Sequence, residues 1–220
     1  MVGSDEPPST IGVAIWGNSS MLQHSFGILA QPANTWKRLA DLDDTSRAIL
    51  LIYPMIWAIL PAVAWYWGTT HVGWTVGSND DVIRLTDQSA MLISFLFYTG
   101  MVSCVAVIGY FVHWMSATYG ADSSLTKGIM IASVCSTPLF VAGAVGFYPI
   151  LWLDMLVGVF AVSWSTYLLY TGIPIVMRIP ETRGFLFASA IVAIALVILV
   201  CLLVATTLLW EWGAMPEFTD

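Results

Sequence analysis

Asp154 is the residue of this chain best suited to do chemistry. Between Ser133 and Pro180 the sequence is apolar for most of its length and holds that one carboxylate. An ionisable group inside such a segment is costly and is often an ion or proton site. Two plainer roles compete with that one. Asp154 stands only about four residues into its apolar run, a shallow depth at about 1.5 Å of helix per residue, so it could be an interfacial carboxylate facing the positive end of a helix dipole. It could also be a polar contact inside a bundle.

Nothing else gathers into a reactive cluster. His24, His71 and His113 are spread along the chain, His113 beside Trp114 at the end of an apolar segment. Cys104, Cys135 and Cys201 lack the CxxC spacing of zinc or redox sites and read as small buried hydrophobes. There is no nucleophile elbow, phosphate loop, HExxH motif or carboxylate pair to which catalytic roles could be given. The expectation is a protein that is not an enzyme and that uses no cofactor or metal.

The elements that would position these residues follow from composition. Of 220 residues, 58% are hydrophobic and 10% charged, against roughly 25% charged in soluble domains. A bilayer interior about 30 Å thick takes about 20 apolar residues per helical crossing. Five such crossings are expected: about Ala48–Trp67, with Pro54 and Pro61 inside it, Ser89–Ser116, Thr126–Gly146, Ile150–Tyr170 and Phe185–Trp210. Helices are required because hydrocarbon offers the backbone no hydrogen-bond partners. Lys37, Arg38, Arg47, Lys127, Arg178 and Arg183 fall on one side of that arrangement and Arg84 alone on the other. The bias places the N-terminus in the cytoplasm and the C-terminus outside. Trp65, Tyr66 and Trp67 share one interface with Trp210 and Trp212, as an aromatic belt requires. The net charge of −7 argues against nucleic acid as a partner.

The flanks divide the chain further. Residues 1–20 read as a flexible tail, with Asp5 and Glu6 and no Lys or Arg, unlike a secretory signal. Residues 21–45 are amphipathic: Leu22, Phe26, Leu29, Ala33, Trp36 and Ala40 recur every three or four positions, and Pro32 starts a second short helix. That helix would lie on the cytoplasmic membrane surface or pack on the end of the bundle. Residues 46–212 form the membrane domain and 213–220 a short acidic tail. In the outer loop Gly68–Thr86, the alternation of Val72, Trp74 and Val76 allows a short hairpin.

Several motifs carry a resemblance. The block Ser136-Thr137-Pro138-Leu139-Phe140, then Gly143, Tyr148-Pro149 and Tyr167-Leu168-Leu169-Tyr170-Thr171-Gly172-Ile173-Pro174 resembles the membrane domain of the Yip family, the Ypt/Rab-interacting proteins. The lead-in with Pro32 and Trp36 is similar to that family's N-terminal pattern. The loop Gly68-Thr69-Thr70-His71-Val72-Gly73-Trp74 is similar to a bacterial, inner-membrane branch of it. The resemblance covers about Leu22 to Trp210. It implies a five-helix integral membrane domain with a cytoplasmic N-terminus. Eukaryotic members are associated with Rab GTPases and vesicle traffic and have a long cytoplasmic N-terminal region; neither that region nor, in a bacterial host, Rab partners are expected here, so fold and location carry over and trafficking does not.

The motif residues also have a physical reading. Pro138 kinks the third crossing. Ala142 with Gly146, and Ala161 with Ser165, are small residues four apart that let helices approach closely. Gly172 and Pro174 end the fourth crossing. The leading functional expectation is a scaffold or accessory protein in the bacterial inner membrane, in contact with lipid and with other membrane proteins or a second copy of itself. The alternative is a small ion or solute transporter using Asp154.

Overall fold

Prolines and small residues, more than apolar length, decide where this chain's helices break and how close they pack. The computed structural model describes residues 32–42, 47, 50–75, 82–121 and 123–219. The tail 1–20 and the start of the amphipathic lead-in, including Leu22, Phe26 and Leu29, lie outside the described residues.

Eight α-helices are described: α1 Pro32–Ala40, α2 Tyr53–Trp57, α3 Ile59–Trp67, α4 Asp87–Ser116, α5 Leu125–Cys135, α6 Thr137–Ala142, α7 Leu151–Met177 and α8 Glu181–Leu209. Short 3-10 turns at Ala117–Tyr119 and Gly143–Phe147 extend α4 and α6. Two starts are capped in the expected way. The Ser89 N–H donates to Thr86 Oγ1 at 3.4 Å, and the Lys127 N–H donates to Ser124 Oγ at 3.3 Å. Among the described residues four segments are long and apolar enough to cross a bilayer: Asp87–Tyr119, Leu125–Phe147, Leu151–Met177 and Glu181–Ala214. Their outer faces carry large bare side chains, among them Leu151, Trp152, Phe160, Val197 and Leu203. Water would penalise such faces; lipid does not.

The segment expected as the first crossing is built differently. It divides at Ala58 into α2 and α3, of 5 and 9 residues. Pro61 has no N–H to donate to the carbonyl four residues earlier, at Trp57. The same rule breaks the third segment at Ser136, two residues ahead of Pro138, which sits in the first turn of α6. There Ser136 and Ser133 donate their hydroxyls to the Ala132 and Ile129 carbonyls at 2.8 and 2.7 Å, a common response of hydroxyl residues at such sites.

The fourth segment corrects an expectation. Gly172 and Pro174 do not end α7, which runs on to Met177 and stops where Arg178 turns left-handed at φ 53°. The small pair Ala142 and Gly146 also serves otherwise than expected. Gly146 lies in the 3-10 turn rather than on a continuous helix face, and it packs against the Trp65 ring of α3.

At one end of the bundle, α1 lays Thr35, Trp36, Leu39 and Ala40 against α7 and exposes Lys37 and Arg38. Ala33, expected on the apolar face, is exposed. The main core gathers here: Trp36, Met130, Leu168, Ile173, Phe187 and Ile191 are fully enclosed, and the Tyr119 ring stacks on Phe187 at 4.8 Å. At the other end the hairpin forms, with β1 Trp74–Thr75 antiparallel to β2 Val82–Leu85. The acidic tail adds a third strand, β3 Phe218–Thr219, placing Arg84 opposite Thr219 and Leu85 opposite Phe218. The Thr86 N–H donates to the Glu217 carbonyl at 2.9 Å, and the Glu217 N–H donates to Ser89 Oγ at 3.1 Å. The chain's end is thereby clipped to the start of α4.

Helices α4 and α5 meet backbone to backbone. A Cβ on Gly128 would collide with the Gly109 carbonyl, and one on Gly109 would stand 2.6 Å from the Ile129 Cα. Gly100, on the same helix, has open space. Gly100→Ala should therefore be neutral or stabilise by up to about 1 kcal/mol through helix propensity. Gly109→Ala should destabilise by about 1–3 kcal/mol through overpacking. Thermal unfolding of both variants in one detergent checks the contrast.

Candidate functional site

Most residues of the shared motifs fold into helix-to-helix contacts. Pro32 occupies the first turn of α1. One turn on, Trp36 is fully buried, its indole against bare backbone: a Cβ on Gly172 would stand 2.5 Å from Trp36 Cε2. Gly172 is thus the floor for a tryptophan and not a helix stop. Pro174, two residues further along α7, supports α8 in the same way, since a Cβ on Gly184 would lie 2.8 Å from the Pro174 Cβ. Tyr170 completes this join. Its hydroxyl pairs with Ser189 Oγ at 2.8 Å and its ring lies 5.1 Å from Phe185.

A second group of motif residues ties the two broken segments together. Thr137 is fully buried and shares a 2.8 Å hydrogen bond with the Tyr53 hydroxyl across 84 positions of sequence. Pro138 is buried beside it. Gly143 lies against the ring of Pro61, and Pro149 Cδ lies 3.2 Å from where a Cβ on Gly68 would stand. The breaks at Ala58 and Ser136 therefore face one another, with Ala58, Phe140 and Ala132 in a small core between them. Sequence reasoning missed Tyr53, Pro61 and Gly184 as the partners; the pairing of Pro61 with Gly143 joins distant segments and leaves no local pattern to find.

Two motif residues point away from the bundle. Leu139 is 42% and Tyr167 48% exposed, the latter with its ring 5.4 Å from Trp164.

Asp154 stands apart from all of these. It lies in the first turn of α7, where its N–H donates to the Ile150 carbonyl at 2.9 Å. That position places the carboxylate at the positive end of the helix dipole. The residue is half-buried, yet Oδ1 is shut off from solvent and has no hydrogen-bond partner among the described residues. His71 is stacked on Trp67 at 3.8 Å, and its Nδ1 pairs with Thr70 Oγ1 at 2.8 Å. His113 is at the opposite end of the bundle, in the last turn of α4; His24 lies outside the described residues. Among the described residues no three His, Cys, Asp or Glu side chains could hold a metal ion together.

Long apolar helices with lipid-suited faces, joined by small residues at backbone distance, define an all-α integral membrane protein. The chain belongs to the Yip1 domain family, which matches residues 26–202. It is 32% identical over 192 residues to the inner membrane protein YohC of Escherichia coli strain K12, covering 87% of this chain and 98% of that one. The YohC protein of E. coli O6:H1 strain CFT073 is similar to the same extent. No solved structure matches.

The Tyr53–Thr137 pair gives a direct test of the link between the breaks. Removing the Tyr53 hydroxyl takes from the buried Thr137 Oγ1 its described partner, at a cost of about 1–3 kcal/mol, whereas removing both hydroxyls is nearly neutral. Tyr53→Phe and Thr137→Val should each lower the unfolding temperature, and the double variant should recover much of the loss.

Proposed function

We propose that this chain is a non-catalytic scaffold or accessory protein of the bacterial inner membrane, acting through contacts with other membrane proteins, with a second copy of itself, or with lipid. The observation that carries this reading is the division of the motif. Trp36, Thr137, Pro138, Gly143, Gly172 and Pro174 are spent on internal packing, and Leu139 and Tyr167 are presented outward. A catalytic motif would converge on a cavity instead.

Five crossings fit this reading. Tyr53 to Val72 makes one near-continuous helical path, through α2, α3 and a wide turn at Gly68–Val72. At about 1.5 Å per residue its length approaches the thickness of the hydrocarbon. The cationic residues Arg38, Lys127, Arg178 and Arg183 then share the cytoplasmic side, and α1 lies at that surface as the amphipathic element. An inner-membrane location is supported by the relatives, which are inner membrane proteins.

Tagged at its natural expression level and extracted in mild detergent, the chain should copurify with a stable membrane partner or with itself. Leu139→Ala and Tyr167→Ala should weaken that association without lowering the unfolding temperature. A monomer with no partner and no effect on lipid would contradict the reading.

One observation favours a second reading, transport: the shielded Oδ1 of Asp154, which has no hydrogen-bond partner among the described residues. Under the scaffold reading, liposomes carrying the chain leak protons and ions no faster than empty ones. A flux that Asp154→Asn abolishes, with insertion and folding intact, would carry the transport reading instead.

A further inference from the structure

Where α4 ends, the chain turns back through Gly120, left-handed at φ 72°, and the Ala121 N–H closes the turn onto the Ser116 carbonyl at 2.9 Å. Against this turn lies an open cavity of about 380 Å³, lined by Tyr110, His113, Trp114, Ser116 and Ser123 among others. Its lining is chemically two-sided. Tyr110 and Trp114 present large rings, 52% and 64% exposed. Ser116 donates its hydroxyl to the His113 carbonyl at 2.7 Å, and Ser123 donates its own to the Ser124 carbonyl at 3.1 Å. Both oxygens thus retain lone pairs that can accept.

His113 supplies the complement. Its Nδ1 is sealed from solvent with no partner among the described residues. An orphaned buried N–H is costly, so it is through Nε2 that His113 can offer an N–H to a ligand in the cavity it lines. A cation stands nearby: Arg183 Nη1 is 2.9 Å from where a Cβ on Gly120 would be.

The geometry points to a binding site for a phosphoethanolamine group. Its ammonium fits over the faces of Tyr110 and Trp114 and has hydrogens for the two serine oxygens. Its phosphate fits beside His113, with the Arg183 cation at the adjoining Gly120 turn. A quaternary ammonium has no hydrogens for the serines, and a glycerol headgroup gives the rings no cation. The cavity lies at the end of a membrane-spanning helix, at the depth where headgroups and interfacial aromatic residues meet, so the group can arrive on a phospholipid. It can also arrive as the free small molecule. The inference stands apart from the scaffold reading and from which side of the membrane this end faces.

The test titrates the full-length purified chain with short-chain phosphatidylethanolamine, phosphatidylcholine, phosphatidylglycerol and diacylglycerol, and separately with free phosphoethanolamine, using native mass spectrometry. Phosphatidylethanolamine should bind about tenfold more tightly than the other lipids, and Tyr110→Leu or Trp114→Leu should remove about that preference. Both rings are mostly exposed, so helix content should be unchanged; should one variant fail to fold, the other and the headgroup ranking still decide. Free phosphoethanolamine competing as well as the lipid supports the same site fed from solution, and lipid binding without such competition supports a membrane source. Equal retention of all four lipids, or a preference that survives loss of both rings, overturns the proposal.

Discussion

Inside hydrocarbon, one apolar surface gains little by leaving lipid for another, so helices stay together through contacts made at backbone distance. That constraint explains where this chain places its glycines. Gly128 abuts the Gly109 carbonyl, Gly68 abuts that of Gly146, Gly172 lies under Trp36, and Gly184 lies on Pro174. Each joins segments that are apart in sequence, and at each a side chain would force the helices apart. The apolar faces of α7 and α8 can then be left to the lipid, because the bundle does not depend on burying them.

The same constraint gives the prolines their value. A proline leaves one carbonyl without its helical donor, a serious matter where no water is present. Here the breaks at Ala58 and Ser136 are set side by side, with serine hydroxyls turned onto nearby carbonyls and the Tyr53–Thr137 bond between the segments. Two broken segments are thereby joined to each other. On the same helix that receives Trp36, Pro174 is tolerated within α7 because α8 packs directly against it. The shared motifs are thus a record of how the bundle closes, and the functional surface must be sought in what remains outside: Leu139, Tyr167, the shielded oxygen of Asp154 and the cavity beside His113.

Much of this was legible in the sequence, and the line between what was and was not is physical. The long apolar runs announced α4, α8 and the start of α7 within a few residues, because bilayer thickness sets the minimum length of a crossing, whereas α7 runs seven residues past its expected end. Pro32 announced the start of α1. The break near Pro138 was legible too, since proline acts locally. Partnerships were not. Gly172 looked like a helix end because glycine and proline usually punctuate; only the arrival of Trp36 from about 136 positions away shows why a helix would keep a glycine there. The third strand was equally hidden, because β3 is two residues long and owes its form to Arg84 and Leu85. The cavity at the end of α4 depends on a turn at Gly120 that brings Ser123 back toward His113, and no periodic pattern encodes that.

An odd number of crossings, with the α2–α3 path as one of them, is the central proposal for this chain. The most direct measurement places compartment-sensitive reporters at the two ends of the full-length chain in living bacteria. Five crossings predict opposite compartments, with the N-terminal reporter active in the cytoplasm and the C-terminal reporter active outside it. Both reporters in one compartment would mean an even number of crossings, and would remove α2 and α3 from the set of spanning elements.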